Sequence, residues 1–509
     1  MNRVTQLTAF VFGGALAFGL LQTLSACSEG RVAIDQVVRV FGSMSSLDPA
    51  SEKQLERVYV AFDTYTNNPN NLRQRNHFRD AFSHVRANYV VETDGAALID
   101  AALKGIEEQN YRPGSVEPRE FVETGLDAMM ASLDPHSSYL NPEELRESRV
   151  MTSGEFGGLG IEVTMEKGAI KIVSPIEGTP AYRAGLQAGD RIVKLDGDPV
   201  GDMTLSDAVK LMRGRPGDPI VLTIERKRVA DFDVRVVRAI IEIRSVRWHM
   251  EGNIAYVRVA SFTEKVFSKL ENAFDEIEAK GGSQLQGVVL DLRNNPGGLL
   301  DQSLYVSDSF LDKGVIVSVR ERNSEDNRTF KAHQGDLADG VPIVVLINEG
   351  SASASEIVAS ALKDHRRAVV MGRRSFGKGS VQTIQPLPLE GALKLTTARY
   401  YAPAGYTIQA QGVSPDIVLN RPVEMEEQHD KDDEGAPIVR RESDLPGALN
   451  ADSKEERPAL ASIDREECPK AGKEGKDFEL GCALAYLQAG SVGAFLSSIG
   501  TKVSVQSLK

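Results

Sequence analysis

Apolar positions along the chain follow three successive rhythms. Between 50 and 150 they recur every three or four residues, in the segments 52–64, 76–89, 96–106 and 118–132, which predicts four amphipathic helices. The stretch 109–117, with its proline and glycine, reads as a loop within this helical region. From 155 to 240 the apolar runs shorten and glycines multiply: GGLGIEV, AIKIVSPI, TPAYRAGLQAGDRIVKLDG, LSDAVKLMRGRPGDPIVLTIERK. That pattern predicts a small β-domain with one helix at 205–213. From 241 to 420, strands at 254–259 and 287–292 flank a charged amphipathic helix at 263–279, and further strands are expected at 315–319, 341–347, 368–371, 381–384 and 393–399. The β-α-β order predicts a layered α/β core. The fold class is therefore α/β, with an inserted β-domain and an N-terminal helical region.

Both ends depart from these rhythms. Residues 1–27 carry Arg3, an apolar stretch over 8–21 and then LSAC ending at Cys27, a run too short for a membrane span and suited to a targeting signal. The small residues before Cys27 resemble the lipobox of bacterial lipoproteins, which implies cleavage before Cys27, its lipidation, and a lipid anchor in a bacterial membrane facing the periplasm. A plain secretory signal is the alternative, and either exports the chain. Residues 28–49 read as a polar connector. Beyond 420 charge and proline take over, so 421–475 is expected to be an acidic, disordered linker, followed by a helical segment at 477–488 within 476–509.

Composition narrows the function. The 509 residues suffice for two or three domains, and a net charge of −13 leaves no basic surplus for a nucleic-acid partner. Of the three cysteines, Cys27 is assigned to lipid, which leaves Cys468 and Cys482 to pair as a disulfide in an oxidising compartment.

The chemistry centres on NEGSASASEI (348–357) and GKGSVQ (377–382). An apolar strand at 341–347 meets a polar turn and then a helix start, which exposes hydroxyls at a helix N-terminus where developing negative charge is favoured. Serine needs a base within hydrogen-bond reach, and Lys378 stands on a glycine-flanked loop. Chemistry alone leaves Ser351, Ser353 and Ser355 open as nucleophiles. Downstream of the strand at 287–292, NNPGG (294–298) is a turn whose glycines allow close backbone approach to a substrate.

With DLRNNPGG (291–298) added, the three motifs in this order resemble the carboxyl-terminal processing proteases, or tail-specific proteases. The resemblance implies a serine endopeptidase with Ser353 as nucleophile, Lys378 as general base and Gln382 orienting the lysine. It also implies an oxyanion hole made by the Ala354 N–H with a donor from the NNPGG loop, Gly297 or Gly298. The region 155–240 resembles a PDZ domain, in which the loop Gly158, Leu159, Gly160 and Ile161 would hold a terminal carboxylate while the peptide adds a strand to a sheet edge. The implied partners are proteins with free apolar carboxyl termini, and the resemblance leaves room for an adaptor protein and an oligomer. A non-catalytic PDZ scaffold binding protein carboxyl termini is the alternative reading.

Rival motifs fail on their own chemistry. GRRSFGKG (372–379) is one residue from a phosphate-binding P-loop, but Gly379 replaces the magnesium-binding hydroxyl and β-branched residues follow where a helix is needed. Ser360 and Lys363 form S-x-x-K without its companion motifs, which reads as a helix face. The acidic run 430–435 lacks the bidentate glutamate of a calcium loop, with Arg441 at the twelfth position, and no H-E-x-x-H occurs, so neither metal nor cofactor is expected. His136, in LDPHSSYL, has no adjoining partner in the sequence and reads as structural; with His365 it is the fallback base.

Overall fold

The computed structural model describes residues 47–166, 168–280, 284–420, 441–452, 459–472 and 475–500. The segment expected to be a targeting signal, with Cys27, and the acidic run 430–435 lie outside them. Four helices open the described chain: Pro49–Tyr65, Leu72–Asn88, Gly95–Glu108 and Pro118–Ala131. Asp48, Asn71 and Asp94 cap the first three through side-chain acceptors, while Pro118 starts the fourth at a position where its missing N–H costs nothing. Their buried faces join Phe62, Phe78, Phe82 and Phe121 to Leu387, Leu393 and Leu395 from a distant sheet. The helical region is thus packed onto the core and shares its interior.

The inserted β-domain is a six-stranded antiparallel sheet in which Ile161–Glu166, at one edge, pairs with Ala169–Pro175. Its apolar interior is separate, built on Ile170, Ile172, Ile192, Leu222 and Ile224. Entry strand Glu155–Gly158 and exit strand Ala239–Glu242 pair antiparallel and close the insertion at its neck.

Two sheets form the core. The larger has seven strands in the order Val246–Glu251, Ile254–Val259, Gly287–Asp291, Ile343–Ile347, Ala368–Gly372, Ile417–Asn420 and Ala461–Asp464. Every neighbouring pair after the first is parallel. Its central strands are buried along their whole length, as continuous β-branched runs such as IVVLI require. The second sheet is antiparallel: Ser138–Leu140, Ala392–Tyr401, Gly314–Glu321 and Arg328–Ala332, with Ser380–Pro386 paired to Ala392–Tyr401.

The expectation of a disordered linker over 421–475 is corrected for its described parts. Ala461–Asp464 is the seventh strand, with Ala461 and Ile463 buried and Ser462 and Asp464 exposed. Four alternating residues among charges give too short a period to register in the sequence. Residues 441–452 also pack on the core, and Glu442 is 1% exposed. The terminal helix runs Phe478–Ala489 and stops at Gly490, in a left-handed conformation; a second helix, Val492–Ser498, follows within the segment expected to be helical. A Cys468–Cys482 disulfide ties the seventh strand's exit to the terminal helix.

Candidate active site

Adjacent parallel strands must all end on one side of their sheet, and here three carboxyl ends deliver the three motifs together. Gly287–Asp291 leads into NNPGG, Ile343–Ile347 into the serine turn and the helix Ala354–Asp364, and Ala368–Gly372 into the lysine loop.

The three serines separate by what their hydroxyls do. Ser351 Oγ donates to the Leu292 carbonyl at 2.8 Å, and Ser355 Oγ donates to the Asn295 carbonyl at 2.9 Å, so both fasten the turn to the neighbouring loop. Ser353, 8% exposed, stands immediately before the helix with φ +54°, a backbone conformation that non-glycine residues seldom adopt. The nearby Tyr400 is buried, and burial holds its phenol proton more tightly.

Three residues along the helix, Glu356 is fully buried and joins Ser353 to the lysine loop. Its carboxylate accepts from the Ser353 N–H at 2.7 Å, the Ser375 hydroxyl at 2.5 Å, the Gly377 N–H at 2.7 Å and the Lys378 N–H at 2.9 Å. Burial pushes this carboxyl up to about 7, against the pull of those four donors. The P-loop-like segment therefore does cradle an acidic group, and that group is the protein's own Glu356.

Lys378 Nζ donates to Gln382 Oε1. Gln382 Nε2 donates to Ser380 Oγ at 3.0 Å and to Thr396 Oγ1 at 3.1 Å, and Thr396 Oγ1 donates in turn to Asp134 at 3.1 Å. The amide is thereby turned with its oxygen toward the amine. Burial lowers Lys378 to about 8; Lys394 adds to the fall, while Glu442, Glu356 and Asp134 oppose it.

The glycine loop lies directly against the serine. A Cβ on Gly297 would stand 2.7 Å from the Ala352 carbonyl oxygen, 2.9 Å from Ser353 Cβ and 3.1 Å from the Ala354 nitrogen. Asn295, fully buried, holds the loop: its side chain accepts from the Gly297 N–H and donates to the Val259 carbonyl, both at 2.9 Å, and its carbonyl accepts from the Ala352 N–H at 3.0 Å. Gly298 turns against Phe262, where a Cβ would meet the carbonyl oxygen at 2.3 Å.

In the β-domain, Gly158 belongs to the neck strand, Leu159 is buried, Gly160 has φ +79°, and Ile161 begins the edge strand. The Leu159 and Gly160 carbonyls accept from the N–H groups of Ala181 and Ile176, both at 2.9 Å, so the loop's shape is pinned by the segment that follows.

The other candidates have separate occupations. His365 Nε2 bonds the Val315 carbonyl oxygen at 2.7 Å, and Lys363 Nζ donates to the Ser414 carbonyl at 2.7 Å within the core. His136 does have a partner, Glu442, at 2.8 Å across 306 residues of sequence. Sequence reasoning missed Glu356, Asn295, Tyr400 and Glu442. Only Glu356 left a signal: it sits three residues after Ser353, the S-x-x-E spacing of a helix capping box.

Residues 253–419 match Peptidase family S41, and residues 171–226 match the PDZ domain. A carboxy-terminal-processing protease of Bartonella bacilliformis is 51% identical over 71% of this chain and 78% of its own length. The carboxy-terminal processing protease CtpA of Bacillus subtilis is 33% identical over 67% of this chain and 68% of its own. Among solved structures, a photosystem II D1 C-terminal processing protease is similar at 30% identity and a TM-score of 0.44, covering 68% of this chain and 93% of that one. With half its aligned residues shared across most of a named relative, and both domains matched, the chain belongs to peptidase family S41 and is a serine protease carrying a PDZ domain.

Proposed function

We propose that this protease cleaves exported proteins at or near their carboxyl-terminal tails through a Ser353–Lys378 dyad. The observation that carries this reading is the Glu356 carboxylate, which grips the Ser353 N–H and the Lys378 N–H at once and so fixes nucleophile and base in one frame. Ser351 and Ser355 spend their hydroxyls on the turn, which leaves Ser353 for the chemistry.

Neutral Lys378 takes the Ser353 proton as Oγ attacks the scissile carbonyl carbon. The resulting oxyanion is met by the Ala354 N–H at the helix start and by an N–H of the NNPGG loop. Because Gly297 already donates to Asn295, Gly298 is the donor we assign. Each such donor is worth about 3 kcal/mol in the transition state. The lysine ammonium then returns its proton to the departing amine, and water, activated by the same lysine, releases the acyl group. Gln382 holds the amine in place and carries no proton.

The PDZ domain selects the substrate. An extended tail adds to the edge strand Ile161–Glu166 and its carboxylate meets the backbone of Gly158, Leu159, Gly160 and Ile161, which favours free acids over amides. Lipidation at Cys27 holds the enzyme at the membrane on the periplasmic side. Incubation of the purified protein with an unfolded substrate bearing an apolar free tail is expected to yield fragments with the native enzyme and none with Ser353→Ala. Tail binding by anisotropy without any cleavage would instead mark a PDZ scaffold. Cys27→Ala is expected to move the protein from the membrane to the soluble fraction, and an unacylated native terminus would remove the lipid anchor from this reading.

A further inference from the structure

Glu442 belongs to the strap 441–452, beyond the residues matched to the family, yet it enters the core beside the lysine loop. Its backbone N–H donates to the Phe376 carbonyl at 3.1 Å. One carboxylate oxygen accepts from Gln409 Nε2 at 2.8 Å, and the other bonds His136 Nε2 at 2.8 Å. Gln409 Oε1 accepts from the Gly379 N–H at 3.0 Å, and Gly379 lies so close that a Cβ there would be 2.2 Å from the Gln409 nitrogen.

From His136 the chain of bonds returns to the lysine by another route. The His136 backbone N–H donates to Asp134 at 2.8 Å, Asp134 accepts from Thr396 Oγ1, and Thr396 accepts from Gln382, which receives Lys378 Nζ. Lys378 is thus enclosed in a closed ring of hydrogen bonds, with Gln382, Thr396, Asp134 and His136 on one arm and Gly379, Gln409 and Glu442 on the other.

We propose that Glu442 is a positioning residue for Lys378, closing this ring through Gln409 and His136 so that the amine and its backbone are held from both sides. The proposal rests on Lys378 acting as the base. A plain packing role would call for an apolar side chain at a site this buried; a carboxylate spends its desolvation on two directed bonds and adds a negative charge near the amine. The charged groups that act most on Lys378 are Lys394 from the antiparallel sheet, Glu356 from the serine helix, Asp134 from the His136 turn and Glu442 from the strap, and the titratable His136 pairs with Glu442 itself. Glu442, Glu356 and Asp134 favour the ammonium form and Lys394 disfavours it. Removing the Glu442 charge therefore makes Lys378 easier to deprotonate.

The experiment measures kcat and KM against pH for the full-length protein, using a quenched fluorescent peptide with a free carboxyl terminus. Glu442→Gln, which keeps the shape and removes the charge, is expected to lower the midpoint of the kcat rise by about half a pH unit with Tm retained. Glu442→Ala, which opens the ring, is expected to lose about tenfold in kcat with KM near the native value. A native midpoint in Glu442→Gln overturns the proposal, and that near-isosteric variant keeps the test open should Glu442→Ala fail to fold. Lys378→Arg, measured alongside, separates the two claims: if it is inactive while Glu442→Gln keeps the native midpoint, positioning by Glu442 fails and the dyad stands. Turnover by Lys378→Arg fails the dyad itself.

Discussion

The two core sheets contribute to the site in different currencies. The parallel sheet supplies backbone: a strained serine turn, a helix start and a glycine loop, all delivered by adjacent strand ends and stitched to one another by Asn295, Ser351 and Ser355. The antiparallel sheet supplies side chains: Gln382 and Thr396 aim the lysine, and they depend on Asp134 and His136 from the helical region and on Glu442 from the strap. One half of the site is built where neighbouring strands end, and the other also needs contacts hundreds of residues apart. A nucleophile and its oxyanion donors need fixed backbone dipoles, whereas a base needs an adjustable environment that shifts its proton affinity.

Breaking the parallel side should cost most. Ser353→Ala is expected to lower kcat by about 10⁴-fold or more while peptide binding persists, read by single-turnover cleavage and anisotropy. Gly297→Ala forces a Cβ into the Ala352 carbonyl at φ +101°, so kcat should fall by about 10²-fold with KM nearly unchanged, since the clash displaces the serine turn with its Ala354 N–H and the adjoining Gly298 N–H. On the antiparallel side, Gln382→Leu leaves the lysine chemistry intact and removes only its aim. About tenfold in kcat is the expected loss, and equality with Lys378→Ala would mean that the amine does nothing without that hydrogen bond. Smallest for activity is the double variant Cys468→Ser, Cys482→Ser, which opens a link spanning 14 residues far along the chain from both halves. It should destabilise the fold by about 3 kcal/mol, seen as a lower Tm, with kcat close to native.

The same contrast explains what the sequence could reveal. The serine turn, the lysine loop and the glycine turn were legible because each is a short motif whose function is local, and the strands before them are long apolar runs. The resemblance to a protease family supplied the choice of Ser353, which chemistry alone left open; the hydroxyl bonds of Ser351 and Ser355 supply a physical reason for it. Glu442 was hidden in a charged stretch that reads as solvated linker, and nothing in its neighbourhood points to a histidine 306 residues away. The seventh strand was hidden for a related reason, since its pairing with Ile417–Asn420 adds order to a segment too short to carry a period. Glu356 was visible as a capping residue, but its second task, gathering the lysine loop, depends on Ser375, Gly377 and Lys378 and so only emerges in three dimensions.

The claim at the centre is that Lys378 accepts the serine proton as a neutral amine, and its pH dependence is the most direct test. Burial lowers the folded-state value to about 8 from an ordinary 10.5, so the ammonium that predominates in acid gives way to free amine as pH rises through that value. The native kcat should therefore climb with pH to a plateau with a midpoint near 8. Arginine keeps its charge throughout, so Lys378→Arg should be as inactive as Lys378→Ala at every pH while retaining the native Tm. Substantial peptide turnover by Lys378→Arg, or a native profile flat between pH 6 and 9, an interval of about one to two units around the expected midpoint, would contradict the assignment of this lysine as the base.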